Sequence, residues 1–75
     1  MKTFIFKTNI NCGGCVAKVT PFMNEAFHAG NWEVDFLNPN KVLTVRSEDA
    51  LSSEIEATVL EAGFKAELLD EIHSN

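Results

Sequence analysis

Two cysteines stand three residues apart in Cys12-Gly13-Gly14-Cys15, and they are the only two in a chain of 75 residues. A pair of thiols at this spacing has four readings. As a disulfide staple it does little, because the loop it closes is too small to restrain the unfolded chain. As ordinary core thiols, two residues in a glycine-bearing loop are poorly placed for burial; Cys15 fits that reading better than Cys12. As a structural zinc site the pair lacks partners, since such sites use four protein ligands. The chain has two histidines, His28 and His73. His28 lies about 20 Å from Cys15 along a straight helix at 1.5 Å per residue, and His73 lies beyond a strand that runs away from the cysteines.

The fourth reading is an open two-thiolate site, and here the chemistry fits. Thiolates, not thiols, bind metal. A helix N-terminus lowers a thiol pKa through its unpaired N–H groups. Gly13 and Gly14 are expected to let the backbone turn tightly and to leave the sulfurs accessible. Two soft sulfurs without a nitrogen or oxygen partner favour soft ions such as Cu(I). An ion held by two ligands has room for an incoming thiolate, so it can be passed on by ligand exchange. A redox role is the rival, because CxxC also marks thioredoxin-like proteins. Against it, the chain is short for that fold, no aromatic precedes Cys12, and Gly13-Gly14 replaces the Gly-Pro frequent between redox cysteines. A pure interaction module with incidental cysteines is a further alternative.

The elements that must position the pair follow from periodicity. Lys2–Thr8 alternates and predicts a strand with Phe4 and Phe6 facing the core. Asn9–Gly14 is a loop. A helix is predicted from Gly13–Cys15 to about Ala29, with Cys15, Val19, Phe22, Met23 and Ala26 as its apolar stripe, stopped by Gly30-Asn31. Pro21 falls inside it and predicts a kink or a break. Trp32, Val34 and Phe36 alternate in a second strand. Asn38–Lys41 forms a turn. Val42–Val45 is a third strand with Leu43 and Val45 inward. A second helix spans Ser52–Ala62, capped by Ser52 or Ser53 with Glu56 at capping-box spacing, and buries Leu51, Ile55, Val59 and Ala62. Gly63 ends it. Phe64–Leu69 is the last strand, and Asp70–Asn75 is expected to fray.

The order βαββαβ with one apolar stripe per helix predicts an α+β, ferredoxin-like sandwich: a four-stranded antiparallel sheet with both helices on one face. Strand directions then gather the loops Asn9–Gly14, Asn38–Lys41 and Ala62–Phe64 at one end, with the cysteines, and send His28 and Trp32 to the other.

CxxC at the first strand-to-helix junction of such a chain resembles the heavy-metal-associated domain family, copper chaperones in particular. That family also includes the N-terminal metal-binding domains of heavy-metal P-type ATPases and mercury-binding proteins. Its pattern is a strand, then G-M-x-C-x-x-C opening a helix, and later a Gly followed by an aromatic or Lys. The matching stretches are Asn9-Ile10-Asn11-Cys12-Gly13-Gly14-Cys15 and Glu61-Ala62-Gly63-Phe64-Lys65-Ala66, and the resemblance covers residues 2 to about 69. It implies that Cys12 and Cys15 are the metal ligands. It also implies delivery to a metal-transporting P-type ATPase or another acceptor protein. Ile10 stands where the family has a buried Met that props the loop, and it can fill that space. Asn11 stands where zinc- and cadmium-selective relatives often carry Asp; it offers a carbonyl oxygen without charge. Phe64 occupies the metal-proximal aromatic-or-Lys position; it packs, and can shield the site, but cannot neutralise an anionic bis-thiolate. Lys65 and Lys18 are nearby in sequence, and only Lys18 is expected to lie one helical turn from the ligands.

Composition sets the remaining expectations. The chain reads as one domain over residues 1–75, ordered from about 2 to 70. Net charge is −5, with eight of the eleven acids between Glu48 and Glu71, which argues against nucleic acid and anionic membranes as partners. No apolar run suits a membrane span, and the start does not read as a signal peptide. A cytoplasmic location is expected, where thiols stay reduced. No nucleophile–base pair or catalytic acid pair is recognisable, so carriage of an ion is expected rather than an enzyme. Cu(I) is the favoured ion, with Zn(II), Cd(II) or Hg(II) as alternatives, in a monomer or a metal-bridged dimer.

Overall fold

The computed structural model describes residues 2–73. The elements are β1 (Lys2–Thr8), α1 (Gly13–Phe27), β2 (Trp32–Asp35), β3 (Val42–Ser47), α2 (Ser52–Glu61) and β4 (Ala66–His73). They form one sheet in the order β2-β3-β1-β4, antiparallel throughout. This is the ferredoxin-like sandwich expected from the order of elements.

Register explains the core. Trp32 pairs with Val45 and Val45 with Phe4; Val34 pairs with Leu43, Leu43 with Phe6, and Phe6 with Leu68. These inward rows meet Val19, Met23 and Phe27 of α1 and Ile55 and Val59 of α2. Phe4, Phe6, Leu43 and Val45 are buried as expected. Full burial of one such side chain contributes on the order of 1.5–3 kcal/mol, so the two Phe rows form the base on which α1 rests.

Several expectations need correction. The buried stripe of α1 is Val19, Met23 and Phe27, with Val16 partly covered; Phe22 is 38% exposed and Ala26 faces solvent. At 100° per residue, Val19, Met23 and Phe27 stay within a narrow arc, whereas Phe22 and Ala26 sit on its flank together with Cys15. The helix does not break at Pro21: it runs without interruption from Gly13 to Phe27. It ends two residues before Ala29, where the N–H of His28 reaches Asn24 O and the chain leaves the helix at His28. In α2 neither serine is the cap. Leu51 takes that position, and its N–H donates to the Glu54 carboxylate at 3.1 Å, half of a capping box built two residues before the Ser53–Glu56 pair. Leu51 is exposed and Ala50 is buried in its place. Phe36 lies in the turn after β2, and β3 continues to Ser47. β4 begins at Ala66 and runs to His73, so Asp70–His73 is paired strand rather than a frayed end; the expectation for Ser74 and Asn75 lies outside the described residues. No helix among the described residues is long and apolar enough to cross a membrane.

Gly63 closes α2 as expected. Its φ of 97° is one that side chains rarely adopt, and the bonds Phe64 N–H to Val59 O and Gly63 N–H to Leu60 O complete a Schellman motif. At the end of α1 the corresponding residue is not glycine. His28 has φ 69° and ψ 148°, close to a region that residues with a Cβ enter at a cost of about 1–3 kcal/mol. Its side chain is exposed, so His28→Gly removes this strain and no buried contact. The variant is expected to be more stable by about 1 kcal/mol, after allowing for the extra freedom glycine has in the unfolded chain. Urea unfolding of both proteins measures it.

Candidate metal centre

The loop from Asn9 to Cys12 is held from both sides. Thr8, the last residue of β1, donates its N–H to Asn40 O at 3.1 Å and its hydroxyl to Lys41 O, and the same hydroxyl accepts the Ile10 N–H at 3.1 Å. Asn9 exchanges two bonds with Lys65: its N–H reaches Lys65 O, and its side-chain oxygen accepts the Lys65 N–H at 2.8 Å. The turn after β2 and the chain leaving α2 are thus tied to the cysteine loop, and the three loops meet at one end as the strand directions require. Thr8 and Asn9 were not singled out in the sequence. The visible signal was a Thr-Asn pair at a strand end, where such side chains commonly bond to nearby backbone.

Beneath the loop Ile10 is fully buried within the core cluster, the propping role expected of it. Burial of Ile10 leaves Asn11 and Cys12 above the surface, both exposed. Cys12 is the N-cap of α1, in extended conformation, and its carbonyl accepts the Val16 N–H. Its sulfur takes the place of a capping oxygen: Sγ accepts the Cys15 N–H at 3.2 Å. The helix start therefore turns Cys15 back over Cys12, and the two sulfurs lie 2.9 Å apart, both as free thiols. Cys15 is partly covered by the core. Its Sγ also lies 3.5 Å from the Asn11 side-chain oxygen.

Gly13 and Gly14 act differently from expectation. Neither has a positive φ; both are ordinary first-turn helical residues. A Cβ at Gly13 would meet open space, and one at Gly14 would come only within 3.9 Å of Cys12 Sγ. Of the two, only Gly14 borders a sulfur, and its missing side chain leaves Cys12 Sγ uncovered on that side.

The electrostatics divide the pair. Cys12 is lowered from its ordinary thiol pKa, first by the Cys15 thiol hydrogen bond, then by the Cys15 and Gly14 backbone N–H groups. Cys15 is raised, first by the same side-chain bond and then by desolvation. The backbone donors point at Cys12 Sγ, so Cys12 is the thiol that ionises first and Cys15 keeps its proton longer. A metal ion must displace that remaining proton. While Cys12 is ionised and Cys15 is not, apparent metal affinity is expected to climb about tenfold per pH unit, and about a hundredfold per unit where both are protonated. At neutral pH a limiting dose of iodoacetamide is expected to label Cys12 ahead of Cys15, read by peptide mass.

Other candidate groups are remote. His28 follows the far end of α1. His73 pairs in register with Lys2 at that same end, its Nε2 2.6 Å from the Glu71 carboxylate. No cluster of three or more His, Cys, Asp or Glu suited to a metal ion occurs among the described residues. Phe64 packs partly buried against the core, and Lys18 and Lys65 are exposed.

No family model matches the chain, and no curated protein matches it. Among solved structures, the solution structure of the N-terminal domain of ZntA in the Zn(II)-form superposes with a TM-score of 0.70. The two are 19% identical, and the match covers 96% of this chain and 97% of that one. The likeness is one of fold.

Proposed function

We propose that this chain carries a soft metal ion on Cys12 and Cys15 and hands it to an acceptor protein, with Cu(I) as the favoured ion. The observation that supports the reading most is the juxtaposition of two sulfurs 2.9 Å apart at the start of a helix, one of them with its pKa lowered by backbone donors. Two thiolates satisfy a soft ion that accepts low coordination. The open side of the site admits a thiolate of the acceptor, so the ion moves by stepwise exchange and is never released as a free ion. Transfer of this kind needs no catalytic acid or base, and the role is delivery rather than catalysis. A metal-transporting P-type ATPase is the acceptor that the sequence resemblance suggests.

A second reading, Zn(II) carriage, has two observations in its favour. The Asn11 carbonyl oxygen lies beside Cys15 Sγ, and the structural neighbour is a Zn(II)-form domain. Zn(II) prefers four ligands, so two sulfurs and one neutral oxygen would leave it dependent on water or on a second molecule. The test is a parallel titration of reduced protein with Cu(I) and with Zn(II), each against a competing chelator. One tightly held equivalent of Cu(I), with Zn(II) held more weakly, is expected. Preference for Zn(II), lost in Asn11→Ala, selects the second reading. Vigorous disulfide reductase turnover by metal-free protein would point instead to thiol–disulfide chemistry.

A further inference from the structure

The side of the molecule formed by β4 is not used by the cysteine pair. β4 lies at the edge of the sheet and pairs only with β1. One side of its eight residues therefore presents unpaired backbone donors and acceptors, a ready template for another strand. The opposite edge, β2, has four residues. Along β4, Leu68, Leu69 and Ile72 are 37%, 50% and 45% exposed. Between β4 and α2 lies a hollow of about 330 Å³ lined by Ala57, Leu60, Lys65, Ala66 and Glu56, and Leu60 is 64% exposed. Register places Leu68 on the helix side of the sheet, opposite Phe6, where it continues the core outward toward Leu60, whereas Ile72, opposite Thr3, lies on the other face.

Charge says what can cover it. Glu67, Asp70 and Glu71 interleave with the apolar residues of β4. Lys7 faces Glu67 in register and His73 lies against Glu71, which leaves Asp70, opposite Ile5, without a facing cation among the described residues. A second copy of the chain would bring the same acids and a net charge of −5 to the edge, and would be repelled. The ladder is also interrupted at Leu69, where the register shifts, a common guard against self-pairing. Neither feature repels a cationic strand.

We propose that the β4 edge is a docking site for an extended basic segment of a partner protein. The segment adds as a fifth strand in two short ladders on either side of Leu69. Its apolar residues rest on Leu60 and Leu68 on the helix side, and its Lys or Arg residues face Glu67 and Asp70 on the other side.

The test uses the ¹⁵N-labelled, reduced, metal-free protein and a peptide of alternating Lys and Val. Saturable amide shifts and slowed hydrogen exchange are expected along β4 and at Leu60. They should be absent with an alternating Glu–Val peptide, and absent with the Lys–Val peptide carrying a central proline. Charge reversal by Glu67→Lys with Asp70→Lys should weaken binding by at least about tenfold; the two peptide controls on the unaltered protein carry the test if that variant does not fold. Cys12→Ser should leave binding unchanged. Shifts scattered over acidic surfaces and indifferent to the proline, equal binding of the Glu–Val peptide, or self-association through β4 in sedimentation would each overturn the proposal.

Discussion

Cys12→Ser and Cys15→Ser are each expected to lower Cu(I) affinity by more than about 100-fold, beyond the 10–100-fold that an outer partner of a metal ligand commands. The reason lies in the division of labour between the sulfurs. Cys12 is the more readily ionised one, aimed at by the Cys15 and Gly14 backbone N–H groups. Serine there can still cap the helix, because its oxygen also accepts from the third residue of the first turn. The fold should therefore survive while capture is lost. Cys15 sits on the flank of α1, partly covered; serine is a close match in size, and the cap at Cys12 remains. Matching far-UV circular dichroism beside the lost affinity separates the loss of a ligand from the loss of structure. Retained tight binding in both variants would remove the cysteines from the account.

Ile10→Ala is the second large effect. Ile10 is fully buried directly before the two exposed residues that open the site. Truncation of such a side chain costs about 2–5 kcal/mol from lost burial and the cavity left behind. In a 75-residue domain that is a large fraction of the total stability, which for small proteins is about 0.05–0.15 kcal/mol per residue. The variant is expected to melt far below the unaltered protein and to show exchange broadening at Asn11 and Cys12. Ile10→Met, which conserves volume, should cost less than about 1.5 kcal/mol and leave metal affinity unchanged. A large loss of affinity in Ile10→Met at near-normal stability would mean that the shape of this residue, not its bulk, sets the sulfur geometry.

Much of this architecture could be read from residue spacing, and the failures have physical causes. The alternation of Phe4 with Phe6 and of Leu43 with Val45 has period two, so the strands and their inward faces followed directly. Strand direction then placed the three loops together. Helix phase was harder. Cys15, Val19, Phe22, Met23 and Ala26 and the buried set Val19, Met23 and Phe27 both satisfy three-and-four spacing; only the position of the sheet decides between them. Caps failed for a similar reason. Three hydroxyl or carboxylate residues crowd the start of α2, and the choice of Leu51 with Glu54 depends on where Ala50 is buried. Pro21 carried a strong local penalty, yet the helix continues through it, anchored on either side by buried Val19 and Met23. β4 extends past Leu69 because its pairing with β1 continues to Lys2, and no local pattern in Asp70–His73 announces that partner. At the site, the placing of the two cysteines together at a helix start was legible from type and spacing, and the burial of Ile10 from the family resemblance. Thr8 and Asn9 were not, because their bonds reach Lys41 and Lys65, 33 and 56 residues away.

X-ray absorption at the copper edge of protein loaded with one equivalent of Cu(I) is the most direct measurement. The account predicts a first shell of two sulfur neighbours in the unaltered protein, reduced to one in either serine variant. A shell made only of nitrogen or oxygen, or a sulfur shell that persists when both cysteines are replaced, would contradict it.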